Sequence, residues 1–164
     1  MVIKMLEKYL DDYVNQLYYR ENIGLSFEQV GLYSKSEYYN LLSKWFRNKL
    51  QHIEISDYLR RLEVKNVGIY GIGNIGELLY RDLVNTTIRI PYVVDRGIFK
   101  EYVLIEGRRV SLINQLEMLR DMETVDCMII TPYLEFQTIR DELRDLGVTS
   151  KIFSIEDCIY ESSR

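Results

Sequence analysis

The sequence contains little of the chemistry that metal sites, disulfides and nucleic-acid surfaces require. Among its 164 residues there are one histidine, two cysteines and two prolines, and the net charge is −4. Because neutralising the phosphate backbone of a nucleic acid requires clustered cations, this charge argues against nucleic acid as the main partner. His52 is the only histidine, and Cys127 and Cys158 have no paired spacing, so the sequence also argues against a zinc site.

Long apolar runs are also missing. No stretch approaches the roughly 20 apolar residues that a membrane-spanning helix needs. Five charged residues fall within the first twelve, so this segment lacks the apolar core of a signal peptide. Cys127 lies in the apolar run "VDCMII", where a thiol behaves as a small buried hydrophobe. These features predict a cytoplasmic protein in a reducing compartment.

Residues 1–62 are predicted to form a helical lobe. Apolar residues recur at steps of three and four between positions 3 and 17 and again between 38 and 46, as on one face of a helix. The first of these helices could pair with a second copy of the chain or cover its own sheet, and we favour a homodimer. The predicted helix ends and caps are Gly24, Ser26 with Gln29, Ser34 with Glu37, and Ser56.

From residue 63 onward, apolar runs alternate with amphipathic segments. The runs at 64–70, 88–95 and 125–132 predict strands, and residues 102–110 predict a strand or a hairpin turning at Glu106 and Gly107. The segment 151–160 predicts a last strand followed by a terminal helical turn. One helix is predicted to begin after Ser111, which would be its N-cap, and another is predicted to end at Gly147. This alternation predicts an α/β fold with a Rossmann-like parallel sheet flanked by helices, preceded by the helical lobe.

The stretch "VGIYGIGNIGELLY" contains a G-x-G-x-x-G string between a predicted strand and a predicted helix. Gly71 would allow the tight turn, Gly73 would let a pyrophosphate approach the backbone, and Gly76 would let the helix lie close to the sheet. The amides from Ile72 through Asn74 and Ile75 to Gly76 would face the ligand at the helix N-terminus. Residues 63–164 are therefore predicted to form a nucleotide-binding domain.

An acidic residue about 20 positions further on completes this fingerprint. Asp95 ends the second predicted strand, where a carboxylate would bind the ribose hydroxyls and repel a 2′-phosphate, so NAD(H) is favoured over NADP(H). Arg96 leaves this choice open, because it could stack on adenine or accept a 2′-phosphate. Thr131 and Pro132 follow the third predicted strand, and the Thr131 hydroxyl could serve the site or cap a helix. In a purely structural interpretation, the glycines serve packing and Asp95 is a solvated strand end.

The segments "VGIYGIGNIGELLYRDL", "IPYVVDR", "VDCMIITP" and "KIFSIEDCI" resemble the small Rossmann-like NAD(P)-binding domains of bacterial surface-polysaccharide proteins. Such domains occur attached to glycosyltransferases or sugar-modifying enzymes, or in stand-alone proteins. The resemblance implies that Gly71, Gly73, Asn74, Ile75 and Gly76 line the phosphates, that Asp95 and Arg96 meet the adenosine, and that Thr131 faces the middle of the cofactor. It also implies a link with nucleotide-sugar metabolism.

No complete catalytic constellation is evident in the sequence. A short-chain dehydrogenase or sugar epimerase needs a tyrosine with a lysine four residues later to move the hydroxyl proton, and none of the 14 tyrosines has this lysine. A single histidine provides no acid–base pair. Three hypotheses therefore remain open. The chain is a nucleotide-binding or regulatory module, or a subunit of an NAD-dependent sugar oxidoreductase or epimerase whose catalytic groups come from a partner. The third hypothesis is an interaction protein without a ligand.

Overall fold

The computed structural model of the chain describes residues 32–96, 101–120 and 124–164. Two compact units are distinguished by their internal contacts, Met1–Ile53 with Ser163 and Glu54–Ser162 with Arg164. The predicted domain boundary between residues 62 and 63 stays a prediction. The predicted helix at 3–17, the stop at Gly24 and the cap at Ser26 lie outside the described residues. None of the helices among the described residues combines the length and the apolar composition of a membrane span.

The described part of the first unit contains helix α1, Leu32–Leu50. Its apolar residues Tyr38, Leu41, Leu42 and Trp45 are buried as predicted for this helix face, whereas Phe46, predicted to belong to the same face, is 37% exposed. The cap predicted at Ser34 is wrong, because the helix already includes that residue. An N-cap residue must have a non-helical backbone.

The second unit is an α/β structure with six strands and five α-helices in the described residues. The strands are β1 Val67–Tyr70, β2 Val93–Val94, β3 Tyr102–Ile105, β4 Arg108–Ile113, β5 Cys127–Ile130 and β6 Lys151–Ser154. The helices are α2 Ile55–Arg61, α3 Asn74–Leu83, α4 Gln115–Arg120, α5 Phe136–Asp145 and α6 Ile155–Glu161, with a 3₁₀ helix at Tyr133–Glu135.

The strands form one sheet in the order β3-β4-β2-β1-β5-β6. All neighbouring strands are parallel except the β3–β4 hairpin at one edge. Strands β1 and β5 are buried along their whole length, as expected for parallel strands covered on both faces. The predicted α/β fold class, a Rossmann-like sheet flanked by helices, is confirmed.

One face of the sheet packs against α5. Tyr70, Val94 and Ile130 from the strands share a buried cluster with Ile139 and Leu143 from α5. These two helix residues are four positions apart, so they lie on the same side of α5. The packing fixes α5 relative to the carboxyl ends of β1 and β2.

Local turn chemistry explains which predicted element ends are correct. Glu106 and Gly107 both have positive φ, 51° and 75°, which is the conformation of a two-residue hairpin turn. Gly147 follows α5 with φ of 86°, which confirms the predicted helix stop. Ser56 lies inside α2, whose N-cap is Glu54, so the cap predicted at Ser56 is wrong.

Two other predicted boundaries are also corrected. The second strand was predicted over 88–95 but contains only Val93 and Val94. Arg89 makes an isolated bridge with Asn66, and Pro91, which has no N–H to donate, separates that bridge from β2. The cap predicted at Ser111 is wrong because this residue belongs to β4, and α4 begins four residues later.

Candidate functional site

The glycine turn, residues 71–76, connects the carboxyl end of β1 to α3. Strand β1 lies between β2 and β5, so the chain leaves β1 toward one side of the sheet and later returns on the other side. Such a switch point opens a crevice beyond the carboxyl ends of the strands, where α/β folds bind ligands. The predicted site residues therefore lie in or next to the part of the fold where a ligand is expected.

Gly71 and Gly76 are required by packing. Gly71 has φ of 94°, and a Cβ on it would lie 2.7 Å from Thr131 Oγ1 and 2.8 Å from Pro132 Cδ. A Cβ on Gly76 would lie 2.0 Å from the carbonyl oxygen of Gly71. These two glycines let the turn, the end of β5 and the start of α3 approach one another. Their presence alone does not require a ligand.

Gly73 differs from the other two glycines because it is exposed. It is the N-cap of α3, with φ of −57° and ψ of −172°, and it has no side chain with which to cap the helix. The first amides of a helix have no intrahelical partner, and the helix dipole places about half a positive charge there. Asn74 begins the helix, whereas the Ile75 side chain is 3% exposed and lies in the interior.

Asp95 lies beside this turn. Its Oδ2 accepts a hydrogen bond from the Ile72 amide at 3.1 Å, and its own amide donates to Ile113 O at 3.1 Å. The carboxylate of Asp95 is thus tied to the glycine turn, and its backbone is tied to β4. The Ile72 amide, expected from the sequence to face a ligand, instead holds the acidic residue in place.

Arg96 extends toward α5. Its Nε donates to the Tyr70 hydroxyl at 2.7 Å, and its guanidinium lies 5.9 Å from the centre of the Tyr70 ring. A terminal nitrogen of the same guanidinium forms an ion pair with Glu142. Arg96 and Asp95 are neighbours in the chain, but their charged groups have different partners on different elements.

Thr131 links the end of β5 to the glycine turn. Its hydroxyl lies 2.8 Å from Gly71 O and 3.1 Å from Tyr70 O, and the residue is 4% exposed. The hydroxyl donates to these carbonyls. It does not cap the following 3₁₀ helix, whose N-cap is Pro132. Pro132 packs against Gly71 and is half-buried.

Two residues next to the site were missed by the sequence interpretation, Tyr70 and Glu142. Tyr70 is 2% exposed and ends β1, where its position just before the glycine string could have marked it. Glu142 lies on the polar side of an amphipathic helix, where nothing in the sequence distinguishes it from neighbouring charged residues. Its pairing with Arg96 becomes visible only in the folded chain.

The described residues contain no cluster of three or more potential metal-ligating side chains. Cys127 and Cys158 are both free thiols and completely buried. Burial raises the pKa of Cys127 to about 12 and the pKa of Cys158 well above its usual value. The prediction that Cys127 is a buried small hydrophobe is confirmed, and neither thiol has the character of a nucleophile.

A cleft of about 480 Å³ lies away from the glycine turn, at the amino end of β1. Its lining includes the basic residues Arg60, Lys65 and Arg89 and the apolar residues Val64 and Ile88. It contains none of the predicted site residues.

No protein-family model matches the chain, and no curated protein matches it. Among solved structures, it is similar to that of RSP, a Rex-family repressor, with a TM-score of 0.41 and 15% identity. The structure of RSP in complex with β-NADH gives a TM-score of 0.40 and 15% identity. Each alignment covers 99% of this chain and 91% of that chain. Values this low assign neither a family nor a ligand to the present chain.

Proposed function

We propose that the chain binds a dinucleotide at the glycine turn, with NAD(H) favoured over NADP(H), and acts as a nucleotide-binding or regulatory module. The supporting observation is the exposed, side-chain-free N-cap at Gly73, located at the switch point of the sheet. Close packing accounts for Gly71 and Gly76, whereas Gly73 is exposed. A pyrophosphate that approaches the backbone would account for a glycine at this position.

The position of Asp95 supports the same ligand. Its bond to the Ile72 amide holds a carboxylate next to the N-terminus of α3. In this arrangement the diphosphate would meet the helix amides, and the adenosine ribose would extend toward Asp95. A carboxylate accepts hydrogen bonds from the two ribose hydroxyls and repels a phosphate at the 2′ position, which is the basis for preferring NAD(H).

Binding to purified protein tests this proposal. NADH should raise the melting temperature, because a ligand that binds only the folded state stabilises it. Gly73→Ala should weaken NADH binding at least about tenfold, equivalent to 1.4 kcal/mol, because a methyl group would occupy the phosphate approach. Asp95→Asn keeps an oxygen for the Ile72 amide but removes the charge, so it should weaken NADH more than NADPH.

Isothermal titration calorimetry with NADH and NADPH measures these affinities. The matched control is Gly107→Ala in the β3–β4 hairpin, where the φ of 75° strains the new residue, so this variant reports the effect of lost stability without a change at the glycine turn. Equal affinity of Gly73→Ala and the unsubstituted chain would contradict the phosphate role of the turn. If neither dinucleotide bound but coenzyme A or a nucleotide-sugar did, the site would belong to another nucleotide class.

The second candidate is a subunit of an NAD-dependent sugar oxidoreductase or epimerase. Its catalytic groups would come from a partner, with Tyr133 or Glu135 at the rim of the crevice. Glu135 is exposed and Tyr133 is 9% exposed, which favours Glu135 of the two. Turnover of a nucleotide-sugar with a change in nicotinamide absorbance would support this candidate.

The third candidate is an interaction protein without a ligand. It requires that no nucleotide shift the melting temperature.

The biological setting remains a proposal that rests on the sequence resemblance. It links the chain to surface-polysaccharide or nucleotide-sugar metabolism in the cytoplasm, with a glycosyltransferase or sugar-modifying enzyme as partner. The homodimer predicted through the N-terminal helix also stays a prediction, because residues 1–31 lie outside the described part of the chain.

A further inference from the structure

We infer that Glu142 of α5 is a positioning residue for cofactor specificity: it holds Arg96 away from the ribose and so disfavours NADP(H). This inference rests on the proposed dinucleotide site. Arg96 directly follows Asp95, and an arginine near the acidic strand end is the group that accommodates a 2′-phosphate in NADP-binding folds. In this chain, the contacts of Arg96 direct its charge elsewhere.

Two anchors hold the Arg96 guanidinium. The Tyr70 hydroxyl accepts from Nε at 2.7 Å, and Glu142 pairs with a terminal nitrogen. Because these anchors occupy different nitrogens of one planar group, they fix its orientation as well as its position. The Tyr70 ring, 5.9 Å away, adds a cation–π contact.

These anchors lie on the α5 side of the sheet. Tyr70 belongs to the buried cluster that contains Ile139 and Leu143 of α5, and no residue of α3 is part of that cluster. Asp95, in contrast, bonds to the turn that leads into α3. The guanidinium is therefore held near α5, and the carboxylate near the predicted phosphate site.

The backbone that carries Glu142 is firmly placed. Leu143 is 0% exposed and Ile139 is 2% exposed, so the adjacent helix turns are packed into the core. Glu142 itself is half-exposed, with 42% of its side chain accessible, and Arg96 is similar at 44%. An ion pair this exposed is weak, because water screens it. The specificity effect carried by Glu142 is therefore modest, and it adds to the repulsion from Asp95.

Glu142→Gln removes the charge that holds Arg96. The ratio of NADPH affinity to NADH affinity should then rise about threefold to fivefold, the range set by a surface ion pair, because the released guanidinium can reach a 2′-phosphate. Tyr70→Phe removes the other anchor and should move the ratio in the same direction. Adding Arg96→Gln to Glu142→Gln should abolish the gain, since Arg96 is the group that meets the phosphate.

The matched control is Asp141→Asn, which removes one negative charge from the same helix. Asp141 pairs with Arg140 and not with Arg96, so this variant should leave the ratio unchanged. The ratio of two affinities measured on one protein is insensitive to a general loss of stability, which a merely structural role for Glu142 would cause.

Three outcomes would overturn the inference. The first is an unchanged ratio in Glu142→Gln when Asp95→Asn raises it, which would leave the proposed site intact and assign specificity to Asp95 alone. The second is an equal rise in Asp141→Asn, which would show a general effect of helix charge. The third is failure of the unsubstituted chain to bind either dinucleotide, which would overturn the proposed function and this inference with it.

Discussion

The three glycines of the turn have two different physical roles. A side chain at Gly71 or Gly76 would collide with Thr131 and Pro132 or with the Gly71 carbonyl, and Gly71 also needs its positive φ. Gly73 is exposed, with backbone angles that any residue can adopt. The G-x-G-x-x-G string thus combines two glycines that close packing requires with one, Gly73, that leaves the backbone open to a ligand.

We expect Gly76→Ala to lower the free energy of unfolding by about 3 kcal/mol, because backbone atoms must move to accommodate the new methyl group. Gly73→Ala should cost about 1 kcal/mol or less, as alanine is only a poorer N-cap. Urea denaturation followed by circular dichroism measures both variants. Equal losses would contradict the division between packing and exposed glycines.

At the scale of elements, side-chain capping determines where α4 begins. Asn114 Oδ1 accepts from the Glu117 amide at 2.9 Å, and Glu117 Oε2 accepts from the Asn114 amide at 2.9 Å. This reciprocal pair is a capping box with asparagine in the first position. Ser111 has the right chemistry for a cap but lies in β4, where its backbone pairs with Tyr102.

Asn114→Ala should therefore lower the free energy of unfolding by about 1 kcal/mol, the usual cost of losing an N-cap. Ser111→Ala is the matched control, and it should stay within about 0.5 kcal/mol because the residue is exposed. Thermal or urea unfolding measures both. A larger loss in Ser111→Ala than in Asn114→Ala would place the helix start at the serine after all.

For the whole molecule, the two thiols report on opening of the fold. Cys127 lies on β5 and Cys158 on α6, and both are 0% exposed. Because burial raises both pKa values, to about 12 for Cys127, almost no thiolate exists in the folded chain at mildly alkaline pH. Reaction with a thiol reagent therefore requires the core to open.

We expect both cysteines to react within the mixing time in denaturant and far more slowly in the folded chain. If the proposed site is correct, saturating NADH should slow the reaction further, because it lowers the open population. Gly76→Ala, which destabilises the fold, should speed it. The rate of labelling is measured from the absorbance of the aromatic thiolate that the reagent releases. Fast labelling of the folded chain, unaffected by Gly76→Ala, would contradict burial of the thiols.

The sequence by itself determined the elements whose geometry depends on near neighbours. The strand, glycine turn and helix at residues 67–83 and the stop at Gly147 were predictable, and the Glu106–Gly107 hairpin turn was one of two alternatives for its segment. Each depends on backbone angles that glycine permits or on the periodicity of apolar residues. The buried character of β5 was equally readable from its unbroken apolar run.

Only the tertiary structure decided the strand order, the length of β2 and the partners of the charged site residues. Asp95 bonds to an amide 23 positions away, and Arg96 pairs with a glutamate 46 positions away. Such partners are chosen by how helices pack on the sheet, and a local pattern carries no information about that packing. Nucleotide binding could be hypothesised from the glycine string and Asp95, whereas the direction of the Arg96 charge required the fold.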